Sequence, residues 1–173
     1  QSHYIADTIN AALIICEFHK FFVNLNLRKF PTGSDIMTHN TIFATSNKGK
    51  ASALKKLSAN FGIEITQVEL ELIEPQADSV VEVAQNKALQ AVNLLGKPVV
   101  VEDSGFVIDA LAGFPGAYTK YIMSTIGADG LLRLAAPYPQ ATCHFVSAMC
   151  YATPDGIRRT FVDNSAEGIL ADS

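Results

Sequence analysis

The segment TIFATSNKGK, residues 41–50, decides the first half of the fold, because a short apolar strand in it gives way to a polar turn. Leu54, Leu57 and Phe61 follow the turn at the spacing of one helix face, and Gly62 is a residue type that commonly ends a helix. These residues therefore predict a strand, a turn and a helix in direct succession.

The next part of the chain repeats this order of elements. The alternating segment IEITQVELEL, residues 63–72, predicts a second strand. Residues 79–96 predict a second helix, because Ser79 and Glu82 form a capping-box pattern at its start and Gly96 stands at its end. Two strands that are each followed by a helix are typical of an α/β protein.

The remaining segments predict further strands. KPVVVEDSGFVIDAL, residues 97–111, predicts a short buried strand, a polar break at residues 102–105 and then a second alternating stretch. ATCHFVSAMCYA, residues 141–152, and IRRTFVD, residues 157–163, flank the turn TPDG and predict an antiparallel hairpin. Because helical crossovers and a hairpin occur together, the predicted fold is α/β with a mixed, twisted sheet and flanking helices.

Composition limits the classes of function that need to be considered. A chain of 173 residues with 49% hydrophobic and 17% charged residues can bury one substantial core, so we expect one globular domain. The net charge of −4 argues against stable nucleic-acid binding by a general basic surface, but it permits a local lysine cluster to bind a small anion. The odd number of cysteines, Cys16, Cys143 and Cys150, lacks zinc-knuckle spacing and favours a reducing compartment, so we expect a cytoplasmic protein.

The first 38 residues differ from the rest of the chain. The apolar stretch AALIICEFHKFFVNL, residues 11–25, is interrupted by Glu17, His19 and Lys20, well short of the ~20 apolar residues that a membrane span needs. We therefore expect no membrane association. Residues 1–38 are expected to be an extension outside the functional domain, residues 39–173, and an amphipathic helix packed on that domain is the alternative.

The lysines of the first turn predict an anion site. The N-terminus of a helix favours a negative group, and Lys48 and Lys50 add positive charge at that end. The turn is not a P-loop, because Ala44 and Ala51 occupy the positions where that motif needs a glycine and a serine or threonine. Another kind of phosphate-binding turn remains, and a surface turn with two solvated lysines is the alternative.

Carboxylates follow the third predicted strand. Glu102 and Asp103 are adjacent at the expected end of a buried strand, where they could be presented to a ligand. Hard oxygen ligands of this kind suit magnesium, which usually takes one or two carboxylates together with substrate phosphates and water. Glu74 on a connection and Lys87 on the second helix are further candidates, although by spacing alone both side chains could simply be solvated.

Four motifs together are similar to one known family: TSNKGK, LIEPQADSVVEVAQNKA, VEDSGFVIDAL and GFPGAYTKY. In this order and at these separations the sequence resembles the inosine triphosphate pyrophosphatases, which remove deaminated purine nucleotides such as ITP, dITP and XTP. The resemblance implies a two-lobed α/β fold with the nucleotide in a central cleft, a homodimer, and magnesium-dependent hydrolysis of a nucleoside triphosphate to the monophosphate and pyrophosphate.

The resemblance also implies roles for individual residues. It implies that Asp103 is both a Mg²⁺ ligand and the general base, and that Glu74 is a second Mg²⁺ ligand. Lys87, Ser104 and Lys120 are implied to contact the substrate. The implied phosphate-binding loop, with Lys50 as its principal lysine, consists of Thr45, Ser46, Asn47, Lys48, Gly49 and Lys50.

Other features of the sequence receive structural interpretations or leave alternatives open. Residues 113–116, Gly-Phe-Pro-Gly, predict a rigid turn, and His144 is expected to be packed or hydrogen-bonded. The C-terminal segment by which the family grips the base is not recognised before Ser173, so we expect residues 39–173 to lack base recognition. A Maf-type nucleotide pyrophosphatase and a truncated domain that binds nucleotide without turnover are the alternatives to the predicted activity.

Overall fold

The computed structural model describes residues 41–59 and 64–170, so the predicted extension, residues 1–38, lies outside the described residues. Within the described ranges the chain forms a six-stranded sheet with helices on both faces. The strands are β1 (Thr41–Ala44), β2 (Ile65–Val68), β3 (Val99–Ile108), β4 (Pro115–Gly116), β5 (Thr142–Ala152) and β6 (Arg158–Ile169). The helices are α1 (Lys48–Ala59), α2 (Val80–Leu95), α3 (Thr119–Thr125) and α4 (Gly127–Ala135).

The sheet is mixed, as predicted. Its strand order is β2-β1-β3-β5-β6, and β4 pairs with β3 beside this path. β1 is parallel to both β2 and β3, whereas β5 is antiparallel to both β3 and β6. The predicted hairpin is formed by β5 and β6, and Gly156 in its turn has φ +92°, which a side chain would strain.

Two strand predictions were wrong in extent. β2 ends at Val68 instead of residue 72, because its partner β1 has only four residues and all four are already paired. β3 runs without the predicted break at residues 102–105, because β5 pairs with every residue of β3 from Val99 to Ile108. The carboxylates of Glu102 and Asp103 therefore lie within a strand and not in a loop at its end.

The helices pack on opposite faces of the sheet. The apolar face of α1, including Leu54, packs against Val100 in one core. The apolar face of α2, including Ala88, packs against Val101 in another. Because successive side chains of a strand point to opposite faces, Glu102 lies on the α1 face and Asp103 on the α2 face.

The ends of the helices agree with the sequence patterns where the structure describes them. Ser79 caps α2 and accepts a hydrogen bond from the Glu82 N–H at 3.3 Å, while Gly96 ends the helix in the left-handed region with φ 62°. The helix α1 ends at Ala59, and the predicted terminating residues Phe61 and Gly62 lie outside the described residues.

A separate core lies at the far end of β3 and β5. Ile108 and Cys143 from these two strands pack there with Leu131 and Ala135 of α4. The long strands thus carry one pair of cores beside α1 and α2 and another core beside α4, which agrees with the two-lobed expectation. None of the helices in the described part of the chain combines the length and the apolar character needed to cross a bilayer.

The predicted turn at residues 113–116 is tied directly to β3. A Cβ atom on Gly105 would lie 2.3 Å from the Gly116 carbonyl oxygen, so β3 and β4 approach each other more closely than a side chain allows. Thr119 strengthens this contact, since its hydroxyl accepts from the Phe106 N–H at 2.7 Å and donates to the Gly116 carbonyl at 2.7 Å. The turn therefore fixes the position of β3 at Gly105 and Phe106, two to three residues after Asp103.

We expect Gly105→Ala to lower the free energy of unfolding by about 1–3 kcal/mol, because the added methyl group overlaps backbone atoms that cannot move independently. The matched control is Gly168→Ala on β6, whose added Cβ would meet only the Cys143 sulfur at an ordinary 3.9 Å. Urea denaturation followed by circular dichroism measures both changes. Equal losses in the two variants would contradict the close approach of β3 and β4.

Candidate active site

The polar turn after β1 is held by its own side chains. The Asn47 N–H donates to Thr45 Oγ1 at 3.1 Å, and Asn47 Oδ1 accepts from the Lys50 N–H at 3.0 Å. Asn47 therefore caps α1, and the predicted phosphate-binding loop forms the N-terminus of a 12-residue helix. Within that loop Ser46, Lys48 and Gly49 are exposed, so the helix end is open to an anion from solvent.

Lys50 reaches from the first turn of α1 to the middle of β3. Its Nζ lies 2.5 Å from Glu102 Oε2 and donates to Ser104 Oγ at 2.9 Å. The Glu102 side chain is fully buried, and its other oxygen accepts from the Ser147 hydroxyl at 2.9 Å. A buried carboxylate is stable only when it is paired and hydrogen-bonded, so these contacts fix the position of the Lys50 ammonium group.

Lys87 forms the corresponding contact on the other face of β3. Its Nζ lies 3.1 Å from Asp103 Oδ1 and 3.2 Å from Glu74 Oε1. Lys87 and Asp103 expose only 14% and 16% of their side chains, while Glu74 is about half exposed. Lys120, at 3.7 Å from Glu74 Oε2, extends into solvent with 85% of its side chain exposed.

Burial and charge shift the pKa values within this cluster in different directions. Burial raises the pKa of Asp103 above its ordinary value, although the neighbouring Lys87 partly offsets that rise. Burial alone would lower the pKa of Lys87, but Asp103 and Glu74 outweigh it and raise the value. The pKa of Glu74 is lowered, because Lys87 and Lys120 outweigh the opposing effect of its burial. Lys87 thus stays charged beside the two carboxylates.

The structure brings most of the sequence-predicted residues together around β3. Lys50 and Ser104 meet on the α1 face, and Lys87, Asp103 and Glu74 meet on the α2 face. Lys120 belongs to the second group only through its contact with Glu74.

Two residues at the site were not among the predicted site residues. The sequence indicates Glu102 only as one of two neighbouring carboxylates, and the structure shows that it pairs with Lys50. Ser147 supports Glu102 from β5, and no sequence signal identifies it, because the contact depends on the register between β3 and β5. His144 lies 3.5 Å from Asp109 and away from both groups, which agrees with the expectation that it has a structural role and no catalytic one.

The carboxylates of the α2 face fit a hard divalent cation. Glu74 and Asp103 direct one oxygen each at the same Lys87 ammonium group, which occupies the place of a cation between them. Within residues 41–59 and 64–170 no group of three or more histidine, cysteine, aspartate or glutamate side chains could hold a metal. Two carboxylates suit Mg²⁺, because this ion commonly completes its coordination with phosphate oxygens and water.

Removal of the Lys87 charge should raise the pKa of Asp103 further, because the opposing positive charge is lost. An acid whose folded pKa lies above its unfolded value makes the protein less stable as pH rises between those two values. In Lys87→Met this pH window should therefore extend to higher pH, as ¹³C NMR titration of the Asp103 carboxyl would measure. The exposed Lys55→Met is the control, and equal titration curves for Asp103 in the two variants would refute the contact.

Comparison with known proteins identifies the class to which this fold and site belong. The sequence matches the model of the Ham1 family over residues 41–173. The protein is therefore a member of the Ham1 family, and the predicted resemblance to the inosine triphosphate pyrophosphatases is confirmed.

Curated relatives carry names from the same class. The chain is 42% identical over 120 residues to the dITP/XTP pyrophosphatase of Methanopyrus kandleri, an alignment that covers 69% of this chain and 64% of the relative. It is 35% identical over 118 residues to inosine triphosphate pyrophosphatase 2 of Trypanosoma cruzi, covering 68% of this chain and 60% of the relative. The chain thus spans somewhat less than two thirds of these relatives' length.

Solved structures show the same fold. A nucleoside-triphosphatase/dITP/XTP pyrophosphatase from Mycobacterium abscessus superposes with a TM-score of 0.60 at 25% identity, covering 76% of this chain and 70% of that one. The Ham1 protein of Staphylococcus aureus superposes with a TM-score of 0.64 at 22% identity, covering 78% and 73%. The predicted α/β fold with a mixed sheet and flanking helices is confirmed.

Proposed function

We propose that this protein hydrolyses deaminated purine nucleoside triphosphates, namely ITP, dITP and XTP, to the monophosphate and pyrophosphate. The observation that carries the proposal is the largely buried Lys87, which lies between Glu74 and Asp103. The Lys50–Glu102 pair lies on the opposite face of the same strand, β3. Lysines that lie this close to carboxylates can bind a polyphosphate, while the carboxylates bind the divalent cation that accompanies it. The names of the relatives from Methanopyrus kandleri and Trypanosoma cruzi support the same reaction.

The triphosphate would lie across the N-terminus of α1 and along the edge of β3 beyond Val100, where pairing with β1 ends, so that it could reach side chains on both faces of the strand. The N-terminus of α1 would bind phosphate oxygens there, together with the Lys50 ammonium group at the same helix end, and Ser104, which accepts from Lys50, can donate its hydroxyl to a phosphate oxygen. Lys87 would contribute a second ammonium group, and the solvent-exposed Lys120 can swing onto bound substrate. These groups offset the charge of the substrate and of the transition state.

Glu74 and Asp103 are the residues that would hold Mg²⁺, since each directs one oxygen at the same Lys87 ammonium group. When bound, this cation would neutralise phosphate charge and polarise the phosphorus–oxygen bonds under attack. In the substrate complex Lys87 would exchange its contacts with the two carboxylates for a phosphate oxygen of the substrate.

Asp103 would act as the general base. Its carboxylate orients a water molecule towards the α-phosphorus and accepts the proton as the new phosphorus–oxygen bond forms, while pyrophosphate leaves with the bridging oxygen. General-base catalysis typically contributes ~10² to 10⁴-fold, so positioning and charge stabilisation supply the rest.

The setting of the enzyme is part of the same proposal. A homodimer follows from the family resemblance, and a cytoplasmic setting follows from the cysteines, since Cys143 and Cys150 are buried free thiols, which suits a reducing compartment. The net charge of −4 favours a small anionic substrate at a local lysine cluster over nucleic acid at a broad basic surface.

Release of pyrophosphate from dITP tests the proposal directly, with dGTP and ATP as competing substrates and with samples lacking divalent cation as controls. The proposal expects equal amounts of monophosphate and pyrophosphate, and only when Mg²⁺ is present. Nucleotide binding without any turnover would identify a binding domain instead, and orthophosphate release would identify a different phosphatase.

Asp103→Asn should lower kcat by ~10²-fold or more, because an amide neither accepts the proton nor binds Mg²⁺ well. Nucleotide affinity should change much less, since the two side chains have the same shape. Steady-state kinetics and calorimetric binding separate these effects. Asp129→Asn on the exposed face of α4 is the matched control, and near-normal turnover in Asp103→Asn would remove this residue from the mechanism.

Lys50→Met should weaken triphosphate binding by about 10- to 100-fold, as expected for the loss of a charge-assisted hydrogen bond. Binding of the nucleoside inosine should stay nearly constant, because the proposal places Lys50 against phosphate. The change also leaves Glu102 buried without its cation, so Lys50→Met combined with Glu102→Gln guards against misfolding.

Isothermal titration of inosine and of ITP in the absence of turnover measures this difference. The exposed Lys56→Met, at the other end of α1, is the control for loss of one positive charge. Equal losses for inosine and ITP would argue against a phosphate-binding role for Lys50.

A further inference from the structure

The connection that carries Glu74 has little structure of its own. Residues 69–79 link β2 to α2 without forming a helix or a strand. Leu72 and Ala77 are turned towards the core, but Ile73, directly before Glu74, exposes 76% of its side chain. Apolar packing therefore does not hold the backbone at the residue that precedes the carboxylate.

A side chain of α2 holds the backbone at that point. The Ile73 N–H donates to Gln90 Oε1 at 2.9 Å, and Gln90 Nε2 donates to the Ile73 carbonyl at 2.8 Å. These are the two contacts that a neighbouring strand would make, supplied here by one side-chain amide. Both ends of the Gln90 amide are thus bound to the same residue.

The orientation of the Gln90 amide is itself fixed. Gln90 Nε2 also donates to Asn86 Oδ1 at 2.6 Å, one helical turn earlier on α2. The nitrogen therefore faces two acceptors and the oxygen faces one donor. A rotated amide would place its oxygen against both acceptors, so the network permits one orientation.

Gln90 and Lys87 lie three residues apart on α2 and bind neighbouring residues of the connection. Gln90 binds the backbone of Ile73, and Lys87 binds the side chain of Glu74 at 3.2 Å. Because the Glu74 side chain starts one residue beyond the Gln90 contact, that contact sets how far its carboxylate stands from Lys87 and Asp103.

We infer that Gln90 is a positioning residue, which clamps the backbone at Ile73 and thereby holds the Glu74 carboxylate opposite Asp103. We call the two hydrogen bonds between Gln90 and Ile73 the clamp. The effect of the clamp on cation binding rests on the proposed function, whereas the clamp itself does not. Gln90 touches neither the substrate nor the reacting atoms in this arrangement and acts only through Glu74.

Amide hydrogen exchange at Ile73 tests the clamp without any nucleotide. In Gln90→Met, which keeps the length of the side chain, exchange at Ile73 should become about three- to tenfold faster, as the loss of one ordinary hydrogen bond implies. The matched control is Gln85→Met on the same helix, because Gln85 Nε2 donates at 3.1 Å to Thr160 on β6 and not to the connection. Unchanged exchange in Gln90→Met, or equal acceleration in Gln85→Met, would overturn the inference.

Binding of Mn²⁺ as a probe of the cation site tests whether the clamp acts through Glu74. Gln90→Met should weaken Mn²⁺ binding, measured by electron paramagnetic resonance, while Gln85→Met leaves it unchanged. In a Glu74→Gln background the same Gln90→Met change should have no further effect, since the carboxylate it positions is already gone. Additive losses in the double variant would show that Gln90 does not act through Glu74.

A milder variant protects the test against misfolding. Asn86→Ala removes only the contact that orients the Gln90 amide, so it should accelerate Ile73 exchange in the same direction by a smaller factor. If Gln90→Met does not fold, unchanged exchange in Asn86→Ala overturns the inference.

Steady-state kinetics separate the clamp from the proposed reaction. With dITP, Gln90→Met should need more Mg²⁺ for half-maximal activity yet approach the normal kcat at saturating Mg²⁺. A lowered kcat at saturating Mg²⁺ would contradict a pure positioning role. If the unaltered protein releases no pyrophosphate at all, the proposed function fails, and the exchange result at Ile73 still decides the clamp.

Discussion

The buried ion pair between Glu102 and Lys50 is the interaction on which the site depends. Glu102 stands in the middle of a strand with no exposed side-chain area, and such a charge is strongly destabilising without a partner. Lys50, in the first turn of α1, supplies the cation, and Ser147 satisfies the other oxygen. The pair therefore attaches the N-terminus of α1 to β3, and it fixes the position of the lysine that we propose binds phosphate.

The alternation of side chains along β3 produces the second half of the site. Asp103 follows Glu102 directly and must point to the opposite face, where α2 brings Lys87. One strand thus directs two carboxylates to opposite faces of the sheet, and each carboxylate contacts a lysine from the helix on its own face. Glu74 joins the α2 face from an irregular connection, so it is the component that needs support from elsewhere.

The sequence predicted the parts of the fold that local patterns determine. The turn after β1, the Ser79 cap of α2 and the β5–β6 hairpin depend on neighbouring residues, and all three are present. The sequence does not predict the continuous β3, because residues 102–105 have the composition of a loop, whereas their strand geometry comes from pairing with residues 146–149 of β5. The residues next to this segment in the sequence do not reveal that it pairs with a distant strand.

The same distinction explains what the sequence revealed of the site. The family resemblance identified Lys50, Lys87, Asp103 and Glu74, and the structure brings each beside a charged partner. The supporting contacts of Ser147 and Gln90 depend on strand register and on the path of a connection, so single-sequence patterns do not contain them.

A crystal structure with Mg²⁺ and the α,β-methylene analogue of dITP, which cannot be cleaved at that position, tests the central claim most directly. The account predicts that the triphosphate lies at the N-terminus of α1 between Lys50 and Lys87, with the cation against Glu74 and Asp103. It also predicts that the 3.1 Å contact between Lys87 and Asp103 is broken in the complex. A triphosphate bound elsewhere, with both lysine–carboxylate pairs at their present distances, would contradict it.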